Sequence, residues 1–276
     1  MKNYPAWSEE NVVQFYQRER HRLEDLYDSE RALLVPALEE STSVLDVGCA
    51  AGGLYNILEK LKPGIRYTGV DVSPEMIAQA RCRYPSAQFQ VSDCSQPDFP
   101  EGAFDLVLSM GVLNHNPNYL EMIREHYRVS RKGCVLDLPR MVRAPYTFER
   151  STSHIVLKGL LPNNNPAVPE AETIVPYVLC NPQPMFEFLV NQLKPRPCAL
   201  AAVGYYGKPN PSAVVPVTPV CFCVIYLKKG DPQTRRTKLL LDLPKDIAAA
   251  IQLEGAESVP TGRAAIAGLI RDGEGG

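Results

Sequence analysis

The run Val44-Leu45-Asp46-Val47-Gly48-Cys49-Ala50-Ala51-Gly52-Gly53 constrains this chain more than any other feature. An apolar stretch ends in a glycine-rich turn, and a helix-like segment, Leu54 to Leu61, follows at once. That order describes a strand feeding a tight turn whose backbone approaches a ligand closely. About 20 residues further on, a second apolar run, Tyr67-Thr68-Gly69-Val70-Asp71, ends in an acid. An acid at the tip of the next strand is placed to accept hydrogen bonds from two ribose hydroxyls. Loop and acid together point to a nucleoside site. A dinucleotide fits it less well, because G-x-G-x-x-G loops need glycine at the second position for the pyrophosphate, and Ala50 stands there.

Strand and helix patterns alternate around this core. Strands are expected over Ser43–Val47, Tyr67–Val70, Phe89–Val91, Asp105–Ser109 and Gly133–Leu138, with helices over Leu54–Leu61, Pro74–Tyr84 and Tyr119–Val129. Ser73 followed by Pro74 suits an N-cap and a proline at the first helical position. Such alternation argues for an α/β fold, a parallel sheet with helices on both faces. Residues 1–40 form an N-terminal unit, in which Val12, Val13, Phe15, Tyr16, Leu23, Leu26 and Tyr27 recur near helical spacing from Ser8 onward. Residues 142–180 are irregular, holding Arg143, Tyr146, His154 and Asn163-Asn164-Asn165-Pro166. A long irregular segment after the carboxyl end of a strand reads as a substrate cover. Periodicity resumes with a helix at Met185–Leu193 and strands at Ala199–Tyr206 and Val220–Leu227 around the turn Lys208-Pro209-Asn210-Pro211. The domain thus runs over 41–229, and 230–276 is a tail in which Leu239–Ile251 suggests a strand and helix and the last residues suggest disorder.

The pattern D-V-G-C-A-A-G-G, with Asp46 just before the turn, resembles the first motif of class I S-adenosylmethionine-dependent methyltransferases, and more closely the type 11-like small-molecule domain. Asp71 matches that family's ribose-binding acid. Phe89-Gln90-Val91-Ser92-Asp93-Cys94 resembles the third strand, whose terminal acid contacts adenine. Phe104-Asp105-Leu106-Val107-Leu108-Ser109 resembles the fourth strand, and Arg131-Lys132-Gly133-Cys134-Val135-Leu136 the turn into the fifth. The resemblance covers roughly residues 40 to 140 and departs from the pattern at Ala50, where many members carry glycine. It implies a doubly wound, mostly parallel seven-stranded sheet of Rossmann-like type with an antiparallel last strand. It also implies S-adenosyl-L-methionine as cofactor, and an N-terminal segment folded over its pocket or packed on the sheet.

Carried onto this chain, the family's site falls on named residues. Gly48, Ala50 and Gly52 let the backbone approach the cofactor, and Asp46 orients the loop and reaches its amino group. Asp71 and Val72 lie at the ribose, with a helix N-cap as the other role for Asp71. Asp93 and Cys94 meet the adenine, Asp93 being otherwise a turn acid. Ser109, Met110 and Gly111 end the fourth strand beside the sulfonium. His115, in Val112-Leu113-Asn114-His115-Asn116-Pro117, is the candidate general base, since imidazole titrates near neutral pH. The alternative for His115 is a hydrogen-bonding residue that shapes the pocket. Tyr16, Tyr119, Tyr146 and His154 are further candidates for the acceptor site.

Composition narrows the function further. At 276 residues the chain buries a substantial core. Its formal net charge of −2 offers no electrostatic footprint for nucleic acid, which favours a small acceptor, with a sugar or glycan precursor as the finer suggestion. No apolar run approaches the roughly 20 residues needed to cross a bilayer, and the polar, acidic first residues are not expected to act as a secretion signal. Eight cysteines without a C-x-x-C pair read as small apolar residues in a reducing, cytoplasmic setting rather than a metal or redox centre. No metal is expected. The sequence reading is therefore a methyltransferase, set against a catalytically inactive methyltransferase-like scaffold and, more distantly, an NAD-dependent oxidoreductase.

Overall fold

The computed structural model describes residues 20–142, 174–209 and 218–271, together with Trp7, Val13, Tyr16, residues 154–156 and residues 213–214. In chain order the elements are α1 (Asp28–Glu39), β1 (Ser43–Val47), α2 (Gly53–Leu61), β2 (Arg66–Asp71), α3 (Pro74–Arg83), β3 (Gln88–Val91) and β4 (Phe104–Ser109). There follow α4 (Tyr119–Val129), β5 (Ser130–Asp137), β6 (Arg140–Met141), β7 (His154–Val156), β8 (Ile174–Pro176), β9 (Leu179–Cys180) and α5 (Pro182–Glu187). The chain ends in β10 (Ala199–Gly207), β11 (Ala213–Val214), β12 (Val220–Lys228), β13 (Thr237–Asp242), α6 (Lys245–Ala249), β14 (Ala256–Ser258) and α7 (Arg263–Arg271). The local signals act as expected at α3, where the Ser73 hydroxyl accepts from Met76 N at 3.2 Å and Pro74 opens the helix.

The main sheet runs in the order β14-β13-β10-β12-β5-β4-β1-β2-β3. All pairs are parallel except those of β12, which is antiparallel to both β5 and β10. The chain leaves β1 toward β2 and β3, then returns to place β4 on the other side of β1. That reversal opens a crevice at the carboxyl ends of β1 and β4, the place where open α/β sheets bind ligands. Every residue of β1 is buried, as a strand covered on both faces requires.

Alternation along the strands sorts the core into two layers. Leu45, Val107 and Leu136 face α4, α5 and the π-helical turn Phe188–Gln192 that continues α5, through Met122, Ile123, Tyr127, Phe186 and Leu189. Val44, Leu106, Leu108 and Val135 face α1, α2, α3 and α7 through Leu33, Leu34, Ile57, Ile77 and Ile270. Helices therefore cover both faces, and the fold is the doubly wound, mostly parallel α/β sheet expected from the sequence.

Two boundaries differ from expectation. The sheet holds eleven strands, not seven, because β13 and β14 extend it past β10 and the short strands β6 and β9 pair beside β12. The segment beyond residue 230 is thus largely built into the sheet, with the expected strand and helix found as β13 and α6. The physical reason is burial: Leu240 of β13 and Ile266 and Ile270 of α7 are almost fully enclosed, and β13 pairs along what is otherwise an open edge of β10. Residues 272–276 lie outside the described residues. So do Ser8, most of the expected cover (including Arg143, Tyr146 and Asn163-Asn164-Asn165-Pro166) and the His154 side chain. The described end of the cover supplies β8, buried Val175 and Tyr177, and β9, whose Leu179 aligns with Arg140 of β6.

Candidate functional site

The turn after β1 is shaped by contacts that its sequence dictates. The N–H groups of Gly48 and Cys49 both donate to the Val70 carbonyl, at 2.8 and 3.0 Å, which ties the turn to β2. Gly48 has φ +79°, and a Cβ there would sit 2.2 Å from Cγ2 of Val112. Only glycine fits that approach of the β1 turn to the β4 loop. Ala50 also takes a left-handed φ, 46°, a conformation that costs an L-residue about 1–2 kcal/mol. Its N–H donates to Asp71 Oδ2 at 3.0 Å, which holds it there.

Beside this turn lies a cavity of about 460 Å³. Among the residues expected at the site, Asp46, Gly48, Ala50, Asp71, Val72, Cys94, Met110, Gly111 and His115 line it. Gly52, Asp93 and Ser109 do not. Gly52 is the left-handed cap of α2, packed where a Cβ would meet the Phe89 ring at 2.9 Å. Ser109 is fully buried with no hydrogen-bond partner for its hydroxyl among the described residues. Asp93 is exposed, and its Oδ1 accepts from Ser95 N at 2.8 Å and Ser95 Oγ at 2.7 Å, the geometry of a turn acid.

The two carboxylates in the cavity are held differently. Asp46, 2 % exposed, accepts from Tyr67 Oη at 2.6 Å. Burial pushes its pKa up to about 6, opposed by the Tyr67 hydrogen bond and the Arg20 charge and reinforced by the Asp71 charge. Asp71 is raised by burial too, with the N–H groups of Ser73, Ala50 and Val72 pulling the other way. Its Oδ1 takes the Ser73 N–H at 2.9 Å, and with three N–H donors on about four lone-pair sites the carboxylate retains a site for a ligand hydroxyl.

His115 stands on a 3-10 turn after β4. Its Nδ1 lies 2.9 Å from the Pro176 carbonyl and its Nε2 lies 3.1 Å from Asn114 Nδ2. Trp7 meets its ring edge-on with centroids 5.1 Å apart, and Tyr177 is at 6.1 Å. Burial drives its pKa down to about 4, so the ring is neutral at neutral pH.

Several lining residues had no place in the sequence reading of the site: Trp7, Arg20, Asn114, Arg140, Tyr177 and Phe222. Arg140 pairs with Asp137 at 2.9 Å, reaches Tyr177 Oη at 3.3 Å and lies over the Phe222 ring at 4.2 Å. Burial opposes its charge, and Asp137 and Tyr177 outweigh that and raise its pKa. Two of these carried a signal: Asn114 neighbours His115, and Arg140 follows the carboxyl end of β5, the ligand edge of the sheet. Trp7, Tyr177 and Phe222 are distant in sequence and carried none. Of the tyrosine candidates, Tyr16 lines the cavity and Tyr119 does not.

The cavity suits an adenosyl cofactor on its own geometry. A glycine turn stripped of side chains, a carboxylate at the tip of β2 and a second, deeply buried carboxylate meet at one crevice. Comparison with known proteins agrees. Residues 45–136 match the family model described as a methyltransferase domain. The chain is 29% identical over 153 residues to 2-methyl-6-phytyl-1,4-hydroquinone methyltransferase of Synechocystis, a stretch covering 48% of each protein. It is 38% identical over 85 residues to trans-aconitate 2-methyltransferase of Escherichia coli, covering 31% of this chain and 33% of that one. The matches thus span about half of the first relative's length and a third of the second's. A solved S-adenosylmethionine-dependent methyltransferase from Methanosarcina mazei shares the fold with a TM-score of 0.51 at 20% identity, over 75% of this chain and 99% of that one. No helix among the described residues is long and apolar enough to cross a membrane.

Proposed function

We propose that the chain, whose residues 45–136 match the methyltransferase-domain family model, moves a methyl group from S-adenosylmethionine to a small-molecule acceptor. The observation that carries the reading is the meeting of the Gly48–Ala50 turn, Asp46 and Asp71 with the aromatic side chains Trp7, Tyr16 and Tyr177 in one cavity. The cofactor supplies a methyl group made electrophilic by its sulfonium, so no protein group need generate the electrophile. The protein's task is to hold an acceptor behind that methyl, and positioning alone supplies about 7–11 kcal/mol of a barrier.

In this reading Asp71, beside Val72, takes the ribose hydroxyls, and Asp46 takes the cofactor's amino group. Gly48 and Ala50 admit the backbone to the ligand while Gly52 closes the turn behind them. Cys94 offers its N–H to the adenine, Asp93 stands at its rim, and Ser109, Met110 and Gly111 back the sulfonium. For His115 the geometry favours the pocket-shaping role over the base. Its one free lone pair, on Nε2, faces the Asn114 amide, and a group with a pKa of about 4 is a weak proton acceptor at neutral pH.

Relatives named for a hydroquinone and for trans-aconitate support a small acceptor. A carbohydrate-like acceptor stays within the proposal, since Asn114, His115, Arg140 and Tyr177 set polar groups beside ring faces. Calorimetry is the first test: S-adenosylmethionine should bind and NAD should not, and the reverse would sink the assignment. Incubating the chain with metabolite extracts and methyl-labelled cofactor, followed by mass spectrometry, should then yield a labelled product. Binding without any transfer would instead support the scaffold reading.

A further inference from the structure

Asn114 and His115 fix one another's orientation. The Pro176 carbonyl can only accept, so the His115 Nδ1 facing it at 2.9 Å carries the hydrogen and donates. Nε2 is then a lone pair, and the atom 3.1 Å from it must be a donor, which makes it the Asn114 Nδ2 and settles the amide's orientation. The backbone is pinned as well, the Asn114 carbonyl accepting from Val178 N at 2.7 Å. With an amide hydrogen committed to the ring, the amide oxygen points the other way. Asn114 is 2 % exposed and lines the cavity, and its Oδ1 has no hydrogen-bond partner among the described residues. A buried amide oxygen without a donor carries a desolvation cost that a bound donor removes.

The geometry points to Asn114 Oδ1 as the hydrogen-bond acceptor for an N–H or O–H of the methyl acceptor, with His115 as the positioning residue that locks the amide. The inference rests on the methyltransferase reading and deepens it. It names the substrate class: a small molecule with a hydrogen-bond donor at, or next to, the atom that is methylated. Asn114 belongs to the β4 loop and sits with His115, Trp7 and Tyr177, whereas the carboxylates assigned to the cofactor come from β1 and β2. A hydroxyl that has been methylated no longer donates. Its product therefore loses this bond and binds less tightly than the substrate, which helps it leave.

The charged groups near His115 are Arg140, which disfavours the imidazolium, and Asp137, which favours it. Neither bonds to the ring, whose described partner at Nε2 is residue 114, so a change there that reverses the partner from donor to acceptor works against the burial that keeps the ring neutral, and this gives the positioning role its own readout.

Phenol and anisole serve as probes, since they differ by the one donor hydrogen and suit an aromatic wall. With S-adenosylhomocysteine filling the cofactor half, the wild-type chain should bind phenol about tenfold more tightly than anisole. Asn114→Leu should bring that ratio near one while leaving S-adenosylhomocysteine affinity unchanged. Equal affinities in the wild type, no phenol binding at millimolar concentration, or a ratio unmoved by Asn114→Leu would each overturn the proposal. In a second variant, Asn114→Asp, a carboxylate faces Nε2 and can only accept. The ¹⁵N signals of His115 should then report an imidazolium at neutral pH, where the wild type shows a neutral ring. An unchanged titration would overturn the lock between the two residues. Failure of the wild-type chain to bind S-adenosylhomocysteine would overturn the methyltransferase reading along with this one, whereas indifference to residue 114 with that ligand bound overturns this one alone.

Discussion

At the residue scale, Asp71 joins two tasks in one carboxylate. It holds the strained Ala50 N–H and the Ser73 N–H, and it lines the cavity with lone-pair capacity left for a ligand. Asp71→Ala should weaken S-adenosylmethionine binding by about ten- to a hundredfold in calorimetry, the worth of a charge-assisted hydrogen bond. Part of the loss would come through the turn, whose N–H loses its partner; unchanged affinity would remove Asp71 from the site. The buried imidazoles set a pH dependence. Burial lowers both His115 and the fully enclosed His126 to about 4, against 6.5 when unfolded. Between those values the unfolded chain binds protons that the folded chain refuses, so stability falls as pH drops from about 6.5 toward 4. Asp46 acts oppositely: raised to about 6, it favours the folded state at low pH and loses that contribution as pH rises from 3.8 through 6. Denaturation midpoints measured from pH 7 to pH 4.5 should show an acid limb that is shallower for His126→Gln than for the wild type. Parallel limbs would mean that His126 is charged, or unburied, in the folded chain.

At the scale of elements, α7 shows how the C-terminal segment is attached. Ile266, Leu269 and Ile270 form its buried stripe in the same layer as Leu33 and Leu34 of α1. Lys228 Nζ donates to the carbonyls of Leu269 and Ile270, at 3.4 and 2.8 Å, where a cation also complements the helix dipole. Ile270→Ala should cost about 2–5 kcal/mol in chemical denaturation, the range for emptying an enclosed aliphatic site. A cost below about 0.5 kcal/mol, typical of surface changes, would mean that α7 is only loosely docked. The same element marks a limit of reading by pattern. Its apolar residues are spaced for a helix, yet Gly, Ala and charged neighbours give the segment the composition of a tail, and only its contact with α1 decides that it is ordered.

At the scale of the whole molecule, a chain cut after Lys229 should fail to reach a cooperative fold, because it bares the β10 edge together with the surfaces that Leu240 and Ile270 cover. A thermal scan should show a broad, early transition and light scattering should rise; a sharp transition at the full-length temperature would make the segment an appendage. Much of the architecture was legible in the sequence by itself. The β1 turn, the acid ending β2 and the capped α3 are each written in contiguous residues, because strand alternation, glycine's left-handed φ and side-chain capping act over a few positions. Nine of the twelve residues expected at the site line the cavity for the same reason, lying at strand tips or in the turns that follow them. What only the tertiary structure decided rests on contacts between distant segments. The carbonyl that accepts from His115 Nδ1 is 61 residues away, at Pro176, and the burial that keeps the ring neutral comes from equally distant segments. Trp7, Tyr177 and Phe222 meet at one wall from three separate parts of the chain, and β13 finds the β10 edge by register and burial. No local pattern encodes such pairings, since each depends on how the sheet's two layers close around it.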